Sequence, residues 1–163
     1  MKEKSEAELL HRMAAYCSTA ERCVQEIEKK LTSSGATPEI TERIISRLVK
    51  EKFIDETRFT RSFVHDKLRY NKWGEIKIGY ELRKKNIPAS LTAEALEQID
   101  AEEYRSILLD LLKNKKKTTK GKDERDRFNK LLRFALGKGF ESKDSLPLLK
   151  QLFNTGDYAD DLE

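Results

Sequence analysis

With 163 residues, 38% of them charged and 37% hydrophobic, the chain lacks the apolar supply for one thick globular core or for a membrane span. It suits thin helical layers that each bury one stripe, and its seven glycines and three prolines leave helices uninterrupted, so an all-α fold is expected. A formal net charge of +4 leans towards an anionic partner.

The opening MKEKSEAELL has no apolar run of signal-peptide length, so a soluble, cytoplasmic protein is expected. Ser5 and Glu8 have capping-box spacing and start a first helix, with Leu10, Met13, Ala14 and Cys17 as its stripe. Ala20, Cys23, Val24, Ile27 and Leu31 form a second stripe. Cys17 and Cys23 are six apart, match no metal or redox spacing, and are expected as free buried thiols. Gly35 ends the second helix, and Pro38 starts a third that carries Ile44, Ile45 and Leu48.

The grammar then begins again. In KFIDETRFTRSF, residues 52–63, Asp55 caps a new helix, and Ile54 and Phe59 close a hydrophobic staple over it. Further on, YNKWGEIKIGYELRKKNIP holds the only Trp, expected at the rim of a core, and Gly79, expected where two helices approach closely. Asn86 repeats the role of Gly35, Pro88 that of Pro38, and Ala95, Leu96 and Ile99 repeat the apolar triplet. Asp100 with Glu103, and Ile99 with Tyr104, repeat the cap and the staple. Tyr104, Ile107, Leu108, Leu111 and Leu112 follow one helical face, and Phe128, Leu131, Leu132, Ala135 and Leu136 another. Between them KNKKKTTKGKDER reads as a solvated, mobile basic loop. Gly139 is the third landmark, and Pro147 implies a last helix that begins late and is short, carrying Leu148, Leu149 and Leu152.

The landmarks Gly35, Asn86 and Gly139 lie 51 and 53 residues apart. Nine helices are therefore expected as three tandem three-helix repeats, at 1–54, 55–99 and 100–154, stacked into an elongated, curved array with an acidic tail at 155–163. Nothing alternates at period two, so no sheet is expected.

No catalytic constellation stands out. His11 and His65 sit in no motif, there is no glycine-rich phosphate loop, and the acids lie beside lysines on helix faces. No enzyme activity, cofactor or metal is expected, and a binding protein remains. Charge is banded. Residues 53–88 hold nine Lys/Arg against five acids, 89–112 one against six, and 113–133 ten against three. By charge and position the candidate partner-binding residues are Arg69, Lys72, Lys77, Arg83, Lys84 and Lys85, then Lys115, Lys116 and Lys117, with Arg58 and Arg61 free to join them.

FIDETRFTRSFV followed by KWGEIKIGYELRKKNI resembles the bacterial RecX family. The matching residues are Asp55, Glu56, Arg58 and Phe59, then Gly74, Ile78, Glu81, Leu82, Lys85 and Ile87, with Asn86 where the family usually has Gly. The resemblance implies a non-enzymatic regulator in recombination, DNA repair and the SOS response. Such a protein binds the RecA recombinase and its filament on single-stranded DNA, and inhibits strand exchange and ATP hydrolysis. A monomer is expected, since no long heptad run is present. The alternative is a protein that binds DNA directly through helix-turn-helix-like units, weakly or as its main task. A third reading is a helical adaptor whose lysines serve solubility.

Overall fold

Helix starts follow local chemistry. The Ser5 hydroxyl accepts from the Glu8 N–H at 3.2 Å, and Thr37 accepts from Ile40 at 3.2 Å. The carboxylate of Asp55 accepts from Arg58 at 3.1 Å, Asp100 from Glu103 at 2.9 Å and Asp123 from Asp126 at 2.8 Å. Each bond satisfies an N–H that the first helical turn leaves without a backbone partner.

The computed structural model describes residues 5–154, so the expected acidic tail lies outside the described residues. Among the described residues there are nine helices and no strand. They are α1 (Glu6–Thr19), α2 (Val24–Ser33), α3 (Pro38–Lys50), α4 (Glu56–Arg69), α5 (Glu75–Lys84), α6 (Ala89–Glu97), α7 (Ala101–Thr118), α8 (Glu124–Gly137) and α9 (Ser142–Phe153).

One helix ending closes the second helix of each repeat, and it also closes α3, where Lys52 has φ of 63° and the Phe53 N–H donates to the Leu48 carbonyl at 2.8 Å. After α2, α5 and α8, the residues Gly35, Asn86 and Gly139 adopt left-handed backbone with φ of 86°, 60° and 98°. The next N–H then donates back five residues: Ala36 to the Leu31 carbonyl at 3.0 Å, Ile87 to Leu82 at 3.1 Å and Phe140 to Ala135 at 3.1 Å. This pairing satisfies carbonyls that the helix end would otherwise orphan, and it turns the following apolar residue inward. Ile87 and Phe140 are buried accordingly. The tandem three-helix repeat is thus written into the backbone.

By compactness the chain divides into two units, Met1–Phe63 with Leu82–Ala95, and Val64–Glu81 with Leu96–Glu163. In the first, Leu9, Met13, Cys17, Ile27, Leu31, Ile44, Leu48 and Ile54 form one buried cluster. Leu9 belongs to the core of α1, with Leu10 half-buried beside it. In the second, α7, α8 and α9 pack together around Leu108, Leu112, Phe128, Leu131 and Leu149. The rings of Tyr104 and Phe140 lie 5.3 Å apart there. Ile54 and Phe59 are both buried beside the Asp55 cap, as the staple requires.

Four expectations are corrected. Ala20 is the exposed C-terminal cap of α1 and belongs to no stripe. The basic run is not a loop throughout. α7 continues for 18 residues to Thr118, because lysine forms helices well and the negative end of the helix dipole favours Lys115, Lys116 and Lys117 in its last turn.

α9 starts at Ser142 and runs 12 residues, with Pro147 inside it. Proline removes the donor for the Lys143 carbonyl, and both residues are exposed, on the side of the helix turned away from the core. Lastly, a Cβ on Gly79 would meet nothing within 4 Å. The close approach is at Gly74, where a Cβ would lie 2.4 Å from the Gly139 carbonyl carbon and oxygen and from the Phe140 nitrogen.

Candidate partner-binding surface

In the first unit, several candidate cations hold helices together. The Arg58 guanidinium grips the Glu21 carboxylate and donates to the Lys52 carbonyl at 3.1 Å, tying the start of α4 to the α1–α2 corner. The hydrogen bond to Glu21 raises the Arg58 pKa further. Arg61 reaches Glu94 of α6 at 2.8 Å. Neither arginine is therefore free, contrary to expectation. Their partners lie 37 and 33 residues away, so no local pattern announces them. In α3, Arg43 pairs with Glu6 of α1 at 2.7 Å. The 51-residue spacing sets Arg43 against Glu94, so in the first and second repeats the third helix uses equivalent positions of opposite sign to hold the first helix.

The closing cluster of α5 separates by direction. Lys85 is half-buried and pairs with Glu26 at 3.8 Å, while the Lys84 carbonyl accepts from the Gln25 side chain at 2.8 Å. Arg83 is exposed and has no carboxylate partner among the described residues.

In the second unit, Arg69 forms a two-bond pair with Glu103 at the start of α7, at 2.5 and 3.1 Å. That pair holds the Glu103 carboxyl below its ordinary range. Lys72, in left-handed backbone with φ of 57°, turns its ammonium onto the Arg69 carbonyl. Trp73 is half-buried, as a rim residue should be, with the Lys67 and Lys77 ammonium groups 5.0 and 4.7 Å from its ring centre. Lys138 donates to the Asn71 carbonyl at 2.8 Å. Burial, and then repulsion from Lys77, lower the Lys138 pKa.

Lys67 and Lys138 join this cluster without having been singled out in the sequence, because 67 residues separate Lys138 from its partner. On the same unit Tyr70, Ile76 and Tyr80 are 76%, 58% and 55% exposed. Large exposed apolar groups beside cations are the composition of a protein-binding patch.

Lys115 and Lys116 do not reach outward in full. Lys115 lies 4.9 Å from the Phe134 ring centre. Lys116 covers Phe153 at 4.4 Å and donates to the Leu152 carbonyl at 2.8 Å. Lys117 is exposed. His11 and His65 are exposed too, and among the described residues no three His, Cys, Asp or Glu gather as a metal site would require. Both thiols are buried and free, with Cys17 raised above its ordinary range and Cys23 pushed up to about 11 by burial. No helix among the described residues is long and apolar enough to cross a membrane.

A family model described as the second three-helix domain of RecX matches residues 55–96. Over 152 residues the chain is 30% identical to the regulatory protein RecX of Prosthecochloris aestuarii, covering 93% of this chain and 98% of that one. The chain belongs to the RecX family. It is also 32% identical to the regulatory protein RecX of Clostridium tetani, over 78% of this chain and 59% of the other. With that of Clostridium acetobutylicum it shares 33%, over 80% and 62%. It thus spans about three-fifths of the clostridial relatives. A crystal structure of a regulatory protein RecX superposes with a TM-score of 0.79 at 26% identity, covering 91% of this chain and 72% of that one. One of RecX from Lactobacillus salivarius superposes at 0.76 over 90% of this chain and shares the fold at 21% identity.

Proposed function

We propose that this protein is a non-enzymatic cytoplasmic regulator that binds the RecA recombinase on single-stranded DNA and inhibits its ATPase and strand exchange. Membership of the RecX family carries the reading. The surface around Trp73 supports it physically, since lysines and exposed aromatics there suit a large anionic protein assembly. Of the candidate cations, Lys72, Lys77, Arg83 and Lys117 have no carboxylate partner among the described residues, so their charge is available to a partner.

The test measures RecA ATPase on single-stranded DNA with and without the protein. Inhibition is expected, weakening as salt rises. Lys72→Glu with Arg83→Glu is expected to raise the half-inhibitory concentration about tenfold while leaving thermal unfolding in place. An ATPase rate unchanged by the wild-type chain overturns the reading.

A further inference from the structure

The first unit carries a second basic feature, remote in sequence from all eleven candidate cations. A cleft of about 620 Å³ opens between α1 and α2, and Arg12, Arg22, Lys29 and Lys30 line it with no carboxylate among the lining residues. None of the four pairs with an acid among the described residues. Acids are plentiful nearby in sequence, but the fold sends them elsewhere. Glu6 holds Arg43, Glu21 holds Arg58 and Glu26 meets Lys85. Four cations thus line one cleft with no carboxylate among them, a charge arrangement that favours an anion.

The cleft is also preorganised. The Arg22 guanidinium lies 3.7 Å over the Tyr16 ring, with Nε on the Tyr16 carbonyl at 3.3 Å and Nη2 on the Thr19 hydroxyl at 3.0 Å. The Lys30 ammonium lies 4.4 Å from the same ring centre. Cations cover the one aromatic group of the cleft, which therefore offers no stacking platform for a base. What remains is recognition of phosphate. Along α1 the lining runs from Arg12 to Thr19, a span of about 10 Å at the helical rise. That length matches about two or three consecutive phosphates of a strand and exceeds the reach of a single one.

We propose that the α1–α2 cleft is a binding site for consecutive backbone phosphates of single-stranded nucleic acid, read without regard to sequence. The site goes beyond the recombinase-binding reading and does not depend on it. Fluorescence anisotropy of a labelled short oligothymidylate with the full chain, from about 50 to about 200 mM salt, tests it. The wild type should bind with log affinity falling against log salt at a slope near −2, at about −0.7 per phosphate.

Arg12→Glu with Lys29→Glu, both exposed and clear of the core, should lower affinity at least about tenfold and flatten the slope by about 1 to 2. Lys50→Glu with Arg133→Glu makes the same change in net charge outside the cleft and should retain most of the binding. Equal loss in the two double variants overturns the proposal, because net charge alone would then explain it. Titration calorimetry with inorganic phosphate and with ATP separates the source of the phosphate. Binding of either that depends on Arg12 and Lys29, with no oligonucleotide binding, overturns the strand in favour of a small phosphate ligand. ATPase inhibition by the Arg12/Lys29 variant is read apart from these arms, so either conclusion can fail alone.

Discussion

Replacing Gly74 by alanine probes the tightest backbone contact in the second unit. The new Cβ would sit 2.4 Å from three backbone atoms of Gly139 and Phe140, so the segments must part by about 1 Å to reach ordinary contact. Two hydrogen bonds cross that contact, Gly74 N–H to the Lys138 carbonyl at 2.8 Å and Ile76 N–H to the Gly139 carbonyl at 3.0 Å. Losing both costs about 2 kcal/mol net, and loosened packing of Phe140 adds about 1 to 2 more.

At a slope of about 2 kcal/mol per molar urea, the midpoint falls by about 1.5 to 2 M. Gly79→Ala is the control. It sits in α5 with open space around it, and alanine there should stabilise by about 0.5 to 1 kcal/mol. Urea unfolding followed by fluorescence of Trp73, the only tryptophan and the neighbour of Gly74, reads both variants. A Gly74→Ala midpoint within about 0.3 M of wild type, or a larger loss from Gly79→Ala, refutes the reasoning.

Glu56→Ala should destabilise by about 1 kcal/mol in calorimetry, although Glu56 is not in α2. Its carboxylate accepts from the Val24 N–H at 3.1 Å, and Cys23, the residue before α2, supplies no side-chain cap of its own. Cys23 keeps its proton more tightly in the fold, with its pKa raised from 9.0 to about 11 by burial. The stability this contributes is full below pH 9.0 and lost as pH rises towards about 11, so an alkaline unfolding series should be shallower in Cys23→Ala. Glu103 has the opposite sign. Arg69 lowers its pKa from 4.5, so its contribution is present above that value and lost as pH falls through the folded one. Glu103→Gln should flatten the acid limb of the stability profile, and salt should mute the difference because the pair is exposed.

The parts of the fold that were legible in the sequence are those fixed by neighbours in the chain. Left-handed backbone favours Gly and Asn, so residue type marks the helix ends at Gly35, Asn86 and Gly139, whereas Lys52 and Lys72, at φ of 63° and 57°, carry no such mark. The caps at Ser5, Asp55 and Asp100 act over three residues and were equally readable. Contacts between distant segments were not. Gly74 meets Gly139 and Lys138 meets Asn71 only after folding, and nothing local told Gly74 from Gly79. The basic run misled because lysine serves a loop and a helix end equally well. In the candidate site, charge located cations but not their availability, and Arg58 and Arg61 were spent on Glu21 and Glu94. The α1–α2 cleft was hidden for the converse reason: its cations alternate in sequence with acids that the fold turns away.

Two groups among the arginines and lysines of this chain therefore differ in their physics. Arg43, Arg61 and Arg69 each join one helix to another and Arg58 joins α4 to the α1–α2 link, and their charge is cancelled where it stands. Arg12, Arg22, Lys29 and Lys30 face a common space with no acid to meet them. Screening acts on the two differently. The fold rests chiefly on buried leucine, isoleucine and phenylalanine, whose burial ordinary salt does not weaken, so exposed ion pairs can loosen while the helices stay packed. An uncompensated cluster has no such reserve, since its affinity for an anion is electrostatic throughout. Moderate salt should thus release a bound polyanion long before it disturbs the helices that present the cluster.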